Sequence, residues 1–367
     1  MTELVPEDKR WLDAAVRYAT PFLGTTADGP TVAALVVDPR SQTLLSRAVT
    51  AKGGRPHAEA QAIAAAGFEA AGCTLYVTLE PCHHWGRTPP CVDAIIRAGI
   101  MRVVIGAADP DPRIAGSIAQ LESAGVETVV AQHAPSFALH AGHILRHTAG
   151  RPFVTAVLAV SADGMIGRSG QGRVHIAGPV AGRWIDVQRA RANAVLVGAA
   201  TARNDDPALT VTLPGLATRT PLRVVLAGSS GVDRRMNLIG RFSGYRTAVI
   251  AETGAAVDAP VSVETIRVTG SDGRPDLGAA LAALGQKGIQ NLLVEPGQRL
   301  LAGLLEADLV DRFALILAPL SVGENGVPAS PDGLIADLLA AAGLVEMGRQ
   351  RLGGDTLALY ERPSRPD

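Results

Sequence analysis

His57, Glu59, Cys82 and Cys91 are the side chains of this sequence whose types and spacing could best do chemistry together. One imidazole and two thiolates make three of the four ligands that zinc takes. Stopping at three leaves a tetrahedral position open for water, whose pKa the metal lowers to about 7. Glu59, two residues from His57, is suited to carry a proton without binding the metal. The expected centre is therefore a hydrolytic zinc site, with His57, Cys82 and Cys91 as ligands and Glu59 as the acid/base.

Elements must bring these four side chains together. Apolar spacing predicts helices over 9–22, 58–68, 91–98, 114–123 and 137–147, and strands over 31–37, 42–48, 73–79, 102–107 and 126–131. His57 and Glu59 then open one helix and Cys91 opens another. A helix start favours a thiolate, because unpaired N–H groups point at the sulfur. Cys73 falls in an apolar strand and reads as a core residue. His83 and His84 are further possible ligands but read as loop residues, since the set is complete without them. The segment Ala149-Gly150-Arg151-Pro152 is the linker candidate. Beyond it come strands over 153–160, 194–197, 223–226, 247–251, 291–294 and 313–317, with helices over 180–192, 277–284 and 298–306 between them. Strands alternating with helices argue for two α/β domains, 1–148 and 151–367, with mostly parallel pairing after a first hairpin.

Bulk properties narrow the function. A net charge of −1 gives no electrostatic footprint for nucleic acid or a membrane surface. No apolar run reaches membrane-spanning length, and the polar start, Met1 to Arg10, is no signal peptide. All three cysteines lie between 73 and 91, and two have a metal role, which points to a reducing cytoplasm. A small-molecule substrate is expected, and a homo-oligomer is left open. Lysine is scarce, with only Lys9, Lys52 and Lys287.

The pattern His-Ala-Glu followed by Glu80-Pro-Cys and, after eight residues, Cys91 is similar to that of zinc-dependent nucleobase deaminases, although many of those have a closer cysteine pair. The run Glu80-Pro-Cys-His-His-Trp-Gly-Arg-Thr-Pro-Pro-Cys91 is more specific. It closely resembles the zinc loop of the bifunctional riboflavin-biosynthesis deaminase/reductase family. The resemblance continues through Asp109-Pro-Asp-Pro-Arg-Ile-Ala-Gly116, Arg151-Pro-Phe-Val-Thr155, Ser161-Ala-Asp-Gly164, Asp205-Asp-Pro-Ala-Leu-Thr210 and Ala307-Asp-Leu-Val-Asp311. It implies a cytidine-deaminase-like three-layer domain followed by a dihydrofolate-reductase-like domain. The first would remove the 2-amino group of a diaminopyrimidinone carrying a ribosylamino 5′-phosphate, and the second would reduce ribosyl to ribityl with NADPH. By the same resemblance Thr201, Asp205 and Gly297 would face the cofactor, and Arg189, Leu209 and Glu295 the substrate.

The chain also departs from that family. The loop 27–33 lacks a usual substrate-binding asparagine. In the second domain Val157 stands for a lysine, His175 for a tryptophan, Thr212 for an arginine and Pro296 for a glycine. Proline removes an N–H from a loop expected to cradle cofactor phosphate. Two other readings stand beside the bifunctional one: an active deaminase with a weak, inactive or altered reductase, and a non-enzymatic protein with a structural zinc. Structural sites normally have four protein ligands, and Glu59 has no purpose in one.

Overall fold

The structure is a computed structural model, and it describes residues 4–86, 89–170, 172–229, 231–241, 244–330 and 334–363. Arg87 and Thr88 of the zinc-loop run lie outside the described residues. The chain divides into two compact units after Gly150.

The first unit contains α1 (Pro6–Ala19), β1 (Ala33–Asp38), β2 (Thr43–Val49), α2 (Ala58–Ala66), β3 (Thr74–Val77), α3 (Cys91–Arg97), β4 (Arg102–Ile105), α4 (Ser117–Ser123), β5 (Glu127–Val130) and α5 (Ala134–Thr148). Its sheet has the order β2-β1-β3-β4-β5. β1 pairs antiparallel with β2 and β3, while β3, β4 and β5 run parallel. Successive strand side chains point to opposite faces. Ala34 and Val36 of β1 therefore pack on one face with Ala62, Val92, Ile95 and Leu121, from α2, α3 and α4. Ala33, Leu35 and Val37 pack on the other with Leu12 and Ala15 of α1 and Leu139 of α5. The result is three layers. Buried Asp8 ties α1 to the sheet by accepting from Tyr76 Oη at 3.0 Å and from Arg102 Nη1 and Nη2 at 2.7 and 2.9 Å.

The second unit contains β6 (Phe153–Val160), β7 (Met165–Arg168), α6 (Pro179–Arg191), β8 (Ala194–Gly198), α7 (Ala199–Asp205), β9 (Leu222–Leu226), β10 (Thr247–Glu252), β11 (Glu264–Val268), β12 (Gly270–Ser271), β13 (Arg274–Pro275), α8 (Leu277–Gln286), β14 (Asn291–Val294), α9 (Gln298–Glu306), β15 (Arg312–Leu317), β16 (Gly326–Pro328), α10 (Ile335–Ala341), β17 (Val345–Leu352) and β18 (Asp355–Glu361). Nine strands form one sheet in the order β11-β10-β9-β8-β14-β6-β15-β18-β17; β12 with β13, and β7 with β16, make two small ribbons. Pairing is parallel from β11 to β15 and antiparallel at β18 and β17. Leu292 and Val294 of β14 face the core under α8 and α9, and Leu293 faces the core under α6 and α7.

This topology contains a switch point. From β8 the chain crosses to β9 on one side. From β14, its neighbour, it crosses to β15 on the other. Chain segments leaving two adjacent strands in opposite directions open a crevice at their carboxyl ends, where α/β sheets bind ligands.

Candidate active sites

α2 begins where an extended residue meets a run of helix formers. His57 takes an extended backbone and caps the helix, and Glu59 lies in the first turn. Gln61, one turn on, fixes this start. Its Nε2 donates to the carbonyls of Val49, Pro56 and His57 at 2.9, 3.0 and 3.2 Å. Cys91 opens α3, and the Val92 amide donates to the Cys82 carbonyl at 3.1 Å, closing the loop between the cysteines. The Glu80 carboxylate holds that loop from behind, accepting from Ser117 Oγ at 2.5 Å and the Asp109 amide at 3.2 Å.

These contacts bring His57, Cys82 and Cys91 into one cluster with all ligand atoms within 4.8 Å of one another. His57 Nδ1 stands 3.4 Å from each sulfur. Among the described residues no other histidine, cysteine or carboxylate joins a metal-sized group, so His83 and His84 stay outside the set. Cys73 is buried in the core, its thiol donating to the Glu69 carbonyl.

The donor set fits zinc. The two thiols share a hydrogen bond in a buried place, which pulls the Cys82 thiol below its ordinary range and pushes the Cys91 thiol above it. Two adjacent thiolates cannot both carry charge there unless a cation sits between them. Glu59 is 3 % exposed. Burial raises its carboxyl above the ordinary range, and its Oε2 has no hydrogen-bond partner. That is an acid/base group held off the ligand set. A cavity of about 590 Å³ opens over this cluster; Glu59, His84, Trp85, Asp109, Arg113 and His143 are on its wall.

In the second unit a cavity of about 460 Å³ lies at the β8/β14 crevice. Arg189, Thr201, Asp205 and Glu295 line it. Burial raises the Asp205 carboxyl against the opposing pull of Arg173. Arg189 is fully engaged. Its Nε and Nη2 donate to both Glu295 oxygens at 2.7 and 2.9 Å, and Nη1 donates to Asp186 at 2.9 Å. Asp186 in turn accepts from the Thr212 amide and hydroxyl at 2.9 and 2.5 Å. Gly297 caps α9 beside the site. A Cβ there would come 2.8 Å from Thr201 Oγ1, so glycine at 297 lets the start of α9 lie close against α7. Leu209 is not on the wall. It is buried in the core with Ala202 and Val225 and supports the site from behind. Val157, His175, Thr212 and Pro296, the four departures from the resembled family, all line this one cavity.

Removing one partner of a buried, bidentate pair strands the other charges. Arg189→Met is therefore expected to destabilise the second unit by about 3–5 kcal/mol, read as a lower unfolding midpoint in denaturant. An unchanged midpoint would mean that the clamp does not form.

Comparison with known proteins agrees with this geometry. Residues 6–107 match the cytidine and deoxycytidylate deaminase zinc-binding region, and residues 152–353 match the RibD C-terminal domain. The riboflavin biosynthesis protein RibD of Escherichia coli is 32% identical over 87% of this chain and 89% of its own length. That of Haemophilus influenzae is 32% identical over 99% of both. The solved RibD of Acinetobacter baumannii superposes with a TM-score of 0.83 at 27% identity, covering 98% of this chain and 99% of the other. A Thermotoga maritima structure described as a diaminohydroxyphosphoribosylaminopyrimidine deaminase/5-amino-6-(5-phosphoribosylamino)uracil reductase gives 0.82 at 28%, covering 97% and 99%.

Proposed function

The chain belongs to the RibD family of bifunctional riboflavin-biosynthesis proteins, and on that premise we propose how its two sites divide the work. The protein is a deaminase and a reductase of that pathway, using zinc and NADPH. The deaminase is assigned to residues 1–148 and the reductase to 151–367. The observation that carries the first assignment is the His57–Cys82–Cys91 cluster with the unpartnered Glu59 oxygen beside it.

Zinc, when bound, supplies Lewis-acid activation of water. Glu59 takes the proton of the attacking water and delivers it to the departing ammonia. Burial keeps that proton from leaking to solvent. The wall of the cavity holds the pyrimidine over these groups. In the second unit Thr201, Asp205 and Gly297 are assigned to the NADPH side of the crevice and Arg189, Leu209 and Glu295 to the substrate side. Leu209 acts there through packing, and Arg189 by fixing the direction of the Glu295 carboxylate.

A lysine is a compact cation suited to phosphate or developing negative charge. Val157 supplies neither, and Pro296 withholds an amide from the turn before α9. Reductase turnover is accordingly expected to fall below deaminase turnover, with weak NADPH affinity. The test is purified protein given the diaminopyrimidinone substrate with and without NADPH, with products identified and NADPH titrated. Ammonia release without NADPH and a ribityl product only with it are expected. Absence of ammonia release would reject the deaminase assignment. NADPH binding at micromolar level or tighter, with turnover matching deamination, would reject the weakened reductase.

No helix among the described residues is long and apolar enough to cross a membrane.

A further inference from the structure

Trp85 of the zinc loop has no task in the chemistry above. It is 75% exposed, yet it stands on the wall of the deaminase cavity. The other two tryptophans have packed rings. Trp11 lies 6.1 Å from the Tyr76 ring between centroids and donates to Gln42 at 3.2 Å, and Trp184 packs against the core under α6. Among the described residues the Trp85 indole has no hydrogen bond and no ring contact. The backbone that carries it is pinned on both sides. The Cys82 carbonyl accepts from the Val92 amide. Gly86 lies against the Arg55 guanidinium, so close that a Cβ there would come 3.1 Å from Arg55 Nη2. The indole is thus held out at the cavity by its loop and not by packing of its own.

A large apolar ring left open to water gains free energy when a ligand covers it. Its depth decides which part of a ligand it meets. Glu59 is 3% exposed, and Cys82 and Cys91 are buried, so they mark the floor of the cavity, while Trp85 marks its mouth. The ring carbon that loses its amine must reach the floor. The ribosylamino group is attached to another carbon of that ring and runs from there toward the mouth. A ribose presents C–H groups on its faces, and these suit the negative face of an aromatic ring.

We propose that Trp85 is a substrate-recognition residue of the deaminase, whose indole packs on the ribosyl group while the pyrimidine lies below it at His57, Cys82 and Cys91. This rests on the deaminase reading of the cavity.

Ammonia release reads this site alone. In zinc-loaded Trp85→Ala protein the KM for the ribosylamino phosphate substrate is expected to rise about three- to tenfold, the worth of one apolar contact. A loss of binding alone leaves kcat near that of the parent. Trp85→Phe keeps a flat ring and is expected to restore most of the affinity. Zinc content and melting temperature should match the parent, because the side chain is exposed. An unchanged KM in Trp85→Ala overturns the proposal and leaves the deaminase reading intact. No ammonia release by the parent overturns both. Fluorescence locates the contact and does not depend on the folding of Trp85→Ala. Glu59→Gln protein holds ligand without turning it over. Subtracting the emission of Glu59→Gln/Trp85→Phe protein cancels Trp11 and Trp184. The remaining Trp85 signal is expected to change on addition of the ribosylamino phosphate substrate and to stay fixed with the triaminopyrimidinone that lacks the sugar. No change with the sugar-bearing ligand, or an equal change with both, overturns the proposal.

Discussion

Cys91→Ser protein is expected to purify with little or no zinc and to release no ammonia from the pyrimidine substrate. A serine hydroxyl is a far poorer zinc ligand than a thiolate, and it leaves two strong donors where a catalytic site needs three. The loss of affinity should exceed the roughly 10–100-fold that removing a supporting contact costs. Cys82→Ser should behave alike. Elemental analysis of dialysed protein gives the metal, and an ammonia assay gives the activity. The prediction fails if Cys91→Ser retains one zinc per chain at the affinity of the parent. Cys73→Ser is the control, since that thiol sits in the core and donates to a helix carbonyl, away from the cluster.

Glu59→Gln is expected to separate metal binding from turnover. Glutamine has the size of glutamate and can fill the same buried space, but it cannot take a proton from water at neutral pH. Zinc should remain at the parent level while deamination falls on the order of 10² or more. The buried, unpartnered Oε2 of Glu59 is the reason to expect so large an effect, because burial keeps bulk water from taking over the proton transfer. Near-normal turnover in a zinc-replete variant would remove Glu59 from the mechanism.

The deaminase centre was legible in the sequence because its chemistry forces particular residues into short motifs. His57 and Glu59 share one helix start, and Cys82 and Cys91 bracket one loop. The elements around it were legible where a buried face leaves an apolar period, as in β1, β3, β6 and β14. Helix ends were read a few residues off. Thus α1 begins at Pro6 and passes into a 3-10 turn at Thr20–Phe22, and α4 begins only at Ser117 after the turn Pro112–Ile114. Several elements left no such period. α7 is a seven-residue helix of alanines and polar residues, and β17 exposes nearly all of its side chains. Contacts between distant positions were not legible at all. Glu80 with Ser117, Asp109 with His143, and Arg189 with Glu295 are pairs that only the fold joins. The placement of Leu209 is of the same kind, since only the packed core shows that it backs the wall.

β17 has a consequence for the behaviour of the protein in concentrated solution. It closes one side of the nine-stranded sheet, and among the described residues no strand pairs with its outer backbone groups. Such a margin is a template for indefinite strand addition, which leads to aggregates. Here its register slips between Glu346 and Gly348, so the ladder is not straight. Glu346, Arg349 and Arg351 stud it with charge, and Glu346 and Arg349 are paired at 2.7 Å. An approaching strand would have to strip water from these groups. Their cost to a single folded chain is small, and their benefit is colloidal: they let a wide sheet end at β17 without inviting the next one.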